Sequence, residues 1–475
     1  MNTQDKTSPW KQRVRRLRAS WQTIAGAEYD AEAASLRPDL PGDDLQRLRK
    51  QMNACLQVRG GEVSARARAA ALGKAYLELD ATGRERFLTL LATDFDVVEA
   101  EVDAAMDALN GSTDAQERRA AQRELRRFLE PPRVKLLTQF NSLPDGIKFL
   151  VNMRAELLSL KAKDPALVML DDDLKGVLAT WFDVDFLELR RITWDTASGA
   201  LLEKLISYEA VHPIESWEDL KNRLDFDRRY FAYFHPRMPD EPLIFVEVAL
   251  VNGIADNVQN LLDSSAPLQN PESADTAIFY SISNAQRGLD GISFGNFLIK
   301  RVVDHLSHEF PNLKAFATLS PIPRFNSWLD KTLSEGEPGL LRAAERKALA
   351  KAHDGTKGPK GLLKGLLANT DWVENEALTK ALKPVLMRLG ARYLAREKRR
   401  GTVAFDPVAH FHLSNGARIE RLNWMADVSR KGLGQSSGMM INYRYDLSQI
   451  DSNHEGYRSK GKVAVSSAVK SLLKE

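Results

Sequence analysis

Residues 276–323 constrain the fold of this chain more than any other stretch. An apolar run over 277–283 leads into a loop carrying Gly288, Gly291 and Gly295, and then into a segment where Leu298, Val302, Leu306 and Phe310 recur every four residues. That spacing puts the four side chains on one face of a helix over about 296–310. A second strand-like run, 314–319, follows and ends in Ser320-Pro-Ile-Pro323. Strand, loop, helix and strand in this order predict a parallel pair with a crossover helix, the unit of an α/β sheet.

The rest of the chain frames that unit. At 475 residues it exceeds one ordinary core, so two or three domains are expected. Between 62 and 182 the segments 65–79, 84–93, 97–109, 115–129 and 147–160 carry apolar residues at three- and four-residue spacing, interrupted by Pro131-Pro132 and Pro144-Asp-Gly146. This predicts an all-α bundle over 1–180. Strand-like runs at 243–251, 277–283, 314–319, 408–413 and 439–445, separated by helical patterns, predict an α/β domain over 181–475. The glycine-rich, basic passage 353–365 has no Walker pattern and reads as a flexible surface loop.

Charge and cysteine content exclude several functions. With 67 basic and 64 acidic side chains the formal charge is only +3, so no whole-protein field marks a nucleic-acid binder. Runs such as Arg13-Val-Arg-Arg-Leu-Arg18 and Lys398-Arg-Arg400 read as solvated helix faces. The single cysteine, Cys55, rules out an internal disulfide framework and a cysteine-based metal site. Residues 1–8 are polar with no apolar stretch behind them, and the apolar run 243–251 is too short to span a bilayer and contains Glu247. The expectation is a cytoplasmic protein with no membrane or nucleic-acid partner.

Three places could carry chemistry. A glycine-rich turn into a helix N-terminus offers free N–H groups and a positive dipole end, which suits a diphosphate. The spacing G-x-x-G-x-x-x-G is not the dinucleotide fingerprint, and Ser320-Pro321 stands where a ribose-binding acid would be expected. The same glycines also suit a plain connector. Ser320 ends a strand where open α/β sheets place ligands, with its backbone restricted by Pro321 and Pro323, although a serine there can simply turn the chain. In Val408-Ala-His-Phe-His-Leu413, alternation on a strand would put His410 and His412 on one face, yet no third ligand marks a metal site. Gly434-Gln-Ser-Ser-Gly438 matches a hydrolase elbow at Ser436 only formally, because the required strand-before, helix-after context is inverted.

Several strings occur together and in order: Phe279-Tyr-Ser-Ile-Ser283, Gly295-Asn-Phe-Leu-Ile-Lys-Arg-Val-Val303, Leu319-Ser-Pro-Ile-Pro323, Asp406-Pro-Val-Ala409, Phe411-His-Leu413, Asn415-Gly-Ala417, Asn423-Trp-Met-Ala-Asp427 and Asn442-Tyr-Arg-Tyr445, with His212-Pro-Ile214 upstream. Through them most of 212–447 resembles the malonyl-CoA decarboxylase family. The resemblance implies an α+β multidomain protein, a helical N-terminal bundle followed by a GNAT-like acyl-CoA-binding catalytic domain. It implies a CoA diphosphate loop at Asp290, Gly291, Ile292, Ser293, Phe294, Gly295 and Asn296, and a catalytic pair at Ser320 and His412 rather than His410. A homotetramer is implied as well, with the helical domain over 1–180 as its oligomerisation part. Family members from animals often carry an acid where Ser293 stands here, so an auxiliary carboxylate is not expected in this loop. The peroxisomal tripeptide of animal relatives is also absent from Ser471-Leu-Leu-Lys-Glu475.

The implied reaction turns malonyl-CoA into acetyl-CoA and CO2, a step of fatty acid metabolism. It needs donors for an enolate oxygen and an acid for C2, but no metal or organic cofactor, since the thioester is itself the electron sink. Imidazole, with an ordinary pKa of about 6.5, suits the acid role of His412, while Ser320 can hold the carboxylate or relay the proton. Asn423 and Tyr443 (or Tyr445) are candidate further donors in the acyl pocket. Two other readings stay open at this level: an acyltransferase of the same fold acting on an amine, and a non-catalytic acyl-CoA sensor.

Overall fold

A computed structural model describes residues 9–33, 36–57, 61–182, 186–292, 298–337, 339–352, 362–399 and 401–474. The expected surface loop over 353–365 lies outside them up to residue 361, and Leu362–Leu366 is helical. Contacts divide the chain into two units, one made of residues 1–188, 234–243 and 286–294, the other of 189–233, 244–285 and 295–475. Among the described residues no helix is long and apolar enough to cross a membrane.

The first unit is helical where the periodicity predicts it, including Gly61–Glu78, Ala81–Asp94, Glu99–Gly111, Ala115–Leu129, Gly146–Leu160 and Pro165–Trp181. Local signals set the starts. Asp80 accepts from the Gly83 N–H, Asp114 from those of Gln116 and Glu117, and Asp164 from that of Ala166, with Pro165 opening its helix. Packing then selects the arrangement around an aromatic cluster. The Phe149 ring lies 4.9 Å from Trp21, 5.6 Å from Tyr76 and 4.9 Å from Phe140. Each such buried ring stabilises by roughly 1.5–3 kcal/mol. Gly73 is required here, since a Cβ would stand 2.2 Å from the Trp21 ring.

The sheet comprises β1 (Glu188–Ile192), β2 (Arg228–His235), β3 (Met238–Val251), β4 (Thr276–Asn284), β5 (Ala315–Thr318), β6 (Ser320–Pro321), β9 (Arg418–Asn423) and β10 (Met440–Tyr445). A separate two-stranded piece pairs β7 (Lys398–Arg399) with β8 (Val403–Ala404). In space the order is β1-β2-β3-β4-β5-β10-β6, with β9 on β10. β3 runs antiparallel to β4, β4 parallel to β5 through the helix Leu298–Glu309, and β5 antiparallel to β10. This mixed sheet with one crossover pair at its centre fits the GNAT-like expectation.

Two details of the sheet position the site. Between β3 and β4 the register passes from Glu247↔Ser281 to Val248↔Phe279, so Tyr280 is an extra residue and β4 is bulged there. Along β5 and β6 the side chains alternate. Ala317 and Leu319 bury in a cluster with Ile278, Tyr280 and Met440. Thr318 and Ser320 therefore occupy the other face.

Candidate active site

Ser320 is buried where β5 gives way to β6. The Leu319 N–H donates to the Phe279 carbonyl at 2.9 Å, which holds the strand end against β4. The Ser320 hydroxyl donates to Thr318 Oγ1 at 2.9 Å and lies 3.2 Å from His412 Nε2. Thr318 Oγ1 also accepts from the Tyr443 N–H at 3.1 Å, which fixes it relative to β10.

The expectation that residues 408–413 form a strand is corrected: His412 rides on the helix Pro407–Ser414. The cause lies two residues upstream of the alternating run. Asp406 caps the helix through Oδ1, which accepts from the N–H groups of Val408 (2.9 Å) and Ala409 (3.0 Å), and Pro407 supplies a preset first turn. The other carboxylate oxygen accepts from the Tyr393 hydroxyl at 3.1 Å. On a helix, residues two apart diverge by about 200°, so His410 and His412 do not share a face. His410 Nδ1 pairs with the Tyr457 hydroxyl at 2.9 Å, and only His412 reaches Ser320.

The His412 ring is buried and held on several sides. It stacks on Tyr443 with centroids 4.6 Å apart, and its Nδ1 meets the Tyr445 hydroxyl at 2.8 Å. Burial lowers its pKa to about 3 and holds the phenols of Tyr443 and Tyr445 well above their ordinary value. At neutral pH the ring is therefore neutral, with one nitrogen donating and the other accepting. In one order Tyr445 donates to Nδ1, the Nε2–H donates to Ser320, and Ser320 donates to Thr318. A ring protonated on Nδ1 instead donates to Tyr445 and accepts from Ser320, so the two tautomers pass a proton between these groups in opposite directions.

The remaining sequence candidates occupy different positions. The Tyr443 hydroxyl is buried and has no hydrogen-bond partner among the described residues. Asn423 donates to Asn442 Oδ1 at 2.8 Å and accepts from Arg421 Nε at 2.7 Å, so its amide is already engaged. It connects to the site through Asn442, whose amide donates to the Thr318 carbonyl at 2.7 Å. Asp290, Gly291 and Ile292 belong to the first unit. There the Asp290 carbonyl accepts from Arg154 at 2.9 Å, Gly291 has φ +75°, and Ile292 is buried. Ser293, Phe294, Gly295 and Asn296 lie outside the described residues.

Sequence reasoning missed Thr318 and Asp406. The first could have been found from its two-residue offset from Ser320 on one strand face, the second from the Asp-Pro pair. Ser436 is no nucleophile elbow, since it closes the helix Arg430–Ser436 and its hydroxyl donates to the Met439 carbonyl at 2.6 Å. Among the described residues no group of three or more His, Cys, Asp or Glu is arranged to hold a metal ion.

Comparison with known proteins identifies the family. Residues 185–475 match the family model for the malonyl-CoA decarboxylase C-terminal domain, and residues 95–182 match that for its N-terminal domain. The mitochondrial malonyl-CoA decarboxylase of Anser anser anser is 41% identical over 367 residues, covering 75% of this chain and 72% of that protein. Its counterpart from Mus musculus is 41% identical over 365 residues, covering 74% and 73%. The crystal structure of malonyl-CoA decarboxylase from Rhodopseudomonas palustris superposes with a TM-score of 0.82 at 41% identity, over 90% of this chain and 99% of that one. That from Agrobacterium vitis gives 0.80 at 40% identity, over 90% and 100%. With both of its domains matched in sequence and its fold matched in solved relatives, the chain belongs to the malonyl-CoA decarboxylase family.

Proposed function

We propose that this protein converts malonyl-CoA to acetyl-CoA and CO2 with Ser320 and His412 as its catalytic residues. The observation that carries the reading is the buried contact between the Ser320 hydroxyl and His412 Nε2, with Tyr445 on the ring's other nitrogen. The bond between C2 and the malonyl carboxylate breaks, CO2 leaves, and the electron pair passes to the thioester oxygen as an enolate. Protonation at C2 then gives acetyl-CoA, so one proton is consumed per turnover.

Because burial keeps His412 neutral, the proton does not come from a resting imidazolium. Ser320 gives its proton to C2, and the His412 Nε2–H restores it. Tyr445 in turn supplies Nδ1 and is itself recharged by a proton from water; the ring is then the Nδ1–H tautomer, and its return to Nε2–H precedes the next turnover. The transfer is favourable because a proton on the α-carbon of a thioester is held far more tightly than one on oxygen or nitrogen. A low-dielectric, water-poor pocket also strengthens each hydrogen bond to the developing oxyanion. The segment 290–296 is the part of the chain that resemblance offers for the CoA diphosphate.

Incubating purified protein with malonyl-CoA alone should release CO2 and acetyl-CoA. Turnover that appears only with an added amine acceptor would show an acyltransferase instead. Ser320→Ala and His412→Ala should each lower kcat by about 10²–10⁴, the range for loss of a proton-transferring group. Unchanged kcat in a folded variant removes that residue from the mechanism. The assembly that accompanies this reading is a cytoplasmic homotetramer, on family resemblance alone, although the relatives from Anser anser anser and Mus musculus are named as mitochondrial. Light scattering tests the assembly, and cell fractionation tests the compartment.

A further inference from the structure

One face of the helix Gly146–Leu160 grips the turn at 286–290 residue by residue. The Lys148 ammonium donates to Gln286 Oε1 at 2.6 Å and to Asn152 Oδ1 at 2.8 Å. Gly288 lies so close to this helix that a Cβ would stand 1.7 Å from the Val151 carbonyl oxygen. Arg154, buried, donates through one nitrogen to the carbonyls of Gly288 (2.7 Å) and Asp290 (2.9 Å). Its Nε donates to Asp171 Oδ1 at 2.8 Å, and Lys161 donates to Asp171 Oδ2 at 2.7 Å.

This arrangement has an electrostatic consequence. A turn that receives an anion must direct its carbonyls away from it, and Arg154 occupies both carbonyls that flank Leu289. The next residue, Gly291, has φ +75°, and a Cβ on it would meet Lys175 Nζ at 3.5 Å. Lys175 comes from the helix Pro165–Trp181, is half-buried, and makes no ion pair with any described residue. A cation with no ion-pair partner among the described residues thus stands over a backbone position that has no side chain to block approach.

We propose that Lys175 is a phosphate-binding, specificity-determining residue for the diphosphate of acyl-CoA, and that Arg154 is the positioning residue that orients the turn for it. The inference rests on the decarboxylase reading and deepens it, because it places recognition of the carrier in the helical first unit.

The test compares malonyl-CoA with malonyl-pantetheine, which has the same reacting group and no diphosphate. For Lys175→Gln and Arg154→Lys, the ratio of kcat/KM for malonyl-CoA to that for malonyl-pantetheine should fall about tenfold to hundredfold, the value of one charged hydrogen bond. The loss should appear chiefly in KM for malonyl-CoA. Equal proportional losses on both substrates, or no loss in Lys175→Gln, would overturn the proposal. Lys175 is half-buried and unpaired, so its substitution does not depend on the fold tolerating a change at Arg154. Wild-type protein that fails to turn over malonyl-CoA would instead sink the decarboxylase reading itself.

Discussion

Ser320 and His412 stand 92 positions apart in sequence, yet Oγ and Nε2 are 3.2 Å apart in a buried site. Two unrelated local devices bring them together. One is the end of a parallel strand, where the ladder stops at Thr318 and side-chain bonds take over. The other is an eight-residue helix started by Asp406 and Pro407. A pair assembled from rigid elements on both sides loses little freedom when substrate arrives, which is the condition for efficient positioning.

Tyr445→Phe tests the proton line without touching Ser320 or His412. The phenyl ring keeps the packing against Phe279, whose centroid lies 6.3 Å away, and only the hydroxyl bonded to His412 Nδ1 is lost. The tautomer of the ring is then no longer fixed and Nδ1 loses its proton source, so kcat should fall at least about tenfold, though less than in Ser320→Ala or His412→Ala. Initial rates on folded variant, checked by circular dichroism, decide it. Unchanged kcat would mean that the tyrosine does not take part in reprotonation.

Stability should depend on pH through the buried histidines. Burial lowers His412 to about 3 and His212 to about 4, whereas both titrate near about 6.5 in the unfolded chain. Desolvation is the largest influence on His212; Arg223 and Lys431 act with it, and Glu209 and Asp427 against it. Between about 3 and about 6.5 the unfolded state binds more protons, so stability is complete above that window and declines as pH falls through it. Each ring contributes up to about 1.4 kcal/mol per pH unit there. Urea midpoints measured from pH 7.5 to 4.5 should fall, and His412→Gln should flatten the slope. Equal slopes in wild type and variant would show that His412 titrates alike in both states.

The sequence made the central unit readable because its periodicities are pure. The four-residue spacing of Leu298, Val302 and Leu306 and the apolar run of β4 each admit one structure. Residues 408–413 form a helix and not a strand because an alternating apolar pattern fits either, and the deciding signal is the capping residue outside the run. Ser320 and His412 could be named from motifs, but the neutral state of the ring depends on burial by Tyr443 and Tyr445, which comes from tertiary packing. Contacts from Arg154 to Gly288 and Asp290 span more than 130 positions and leave no periodic trace.

Asp406 should matter more than an ordinary helix cap. Asp406→Ala removes the acceptor for two N–H groups, worth about 0.5–2 kcal/mol, and leaves the Tyr393 hydroxyl without its carboxylate, worth about 1–3 kcal/mol more. The helix that carries His412 would lose its anchor, so kcat and melting temperature should fall together. Asp406→Asn keeps a side-chain oxygen at the cap and should retain more of both. Calorimetry and initial rates on the two variants check the ranking, and equal behaviour would assign the effect to charge rather than to capping.

Gly288→Ala and Gly291→Ala separate two uses of glycine three residues apart. At Gly288 the added Cβ would lie 1.7 Å from the Val151 carbonyl oxygen, a backbone atom that cannot rotate away. The helix Gly146–Leu160 or the turn must move, and overpacking of this kind costs about 1–3 kcal/mol or more. At Gly291 the nearest atom is the flexible end of Lys175 at 3.5 Å, so the added methyl has room. The penalty there is the φ of +75°, about 1–2 kcal/mol for a residue with a Cβ. Gly288→Ala should therefore lower the melting temperature more than Gly291→Ala, while both raise KM for malonyl-CoA. Thermal unfolding of the two variants settles the order, and a Gly288→Ala protein as stable as wild type would mean that the turn does not pack against Val151 as described.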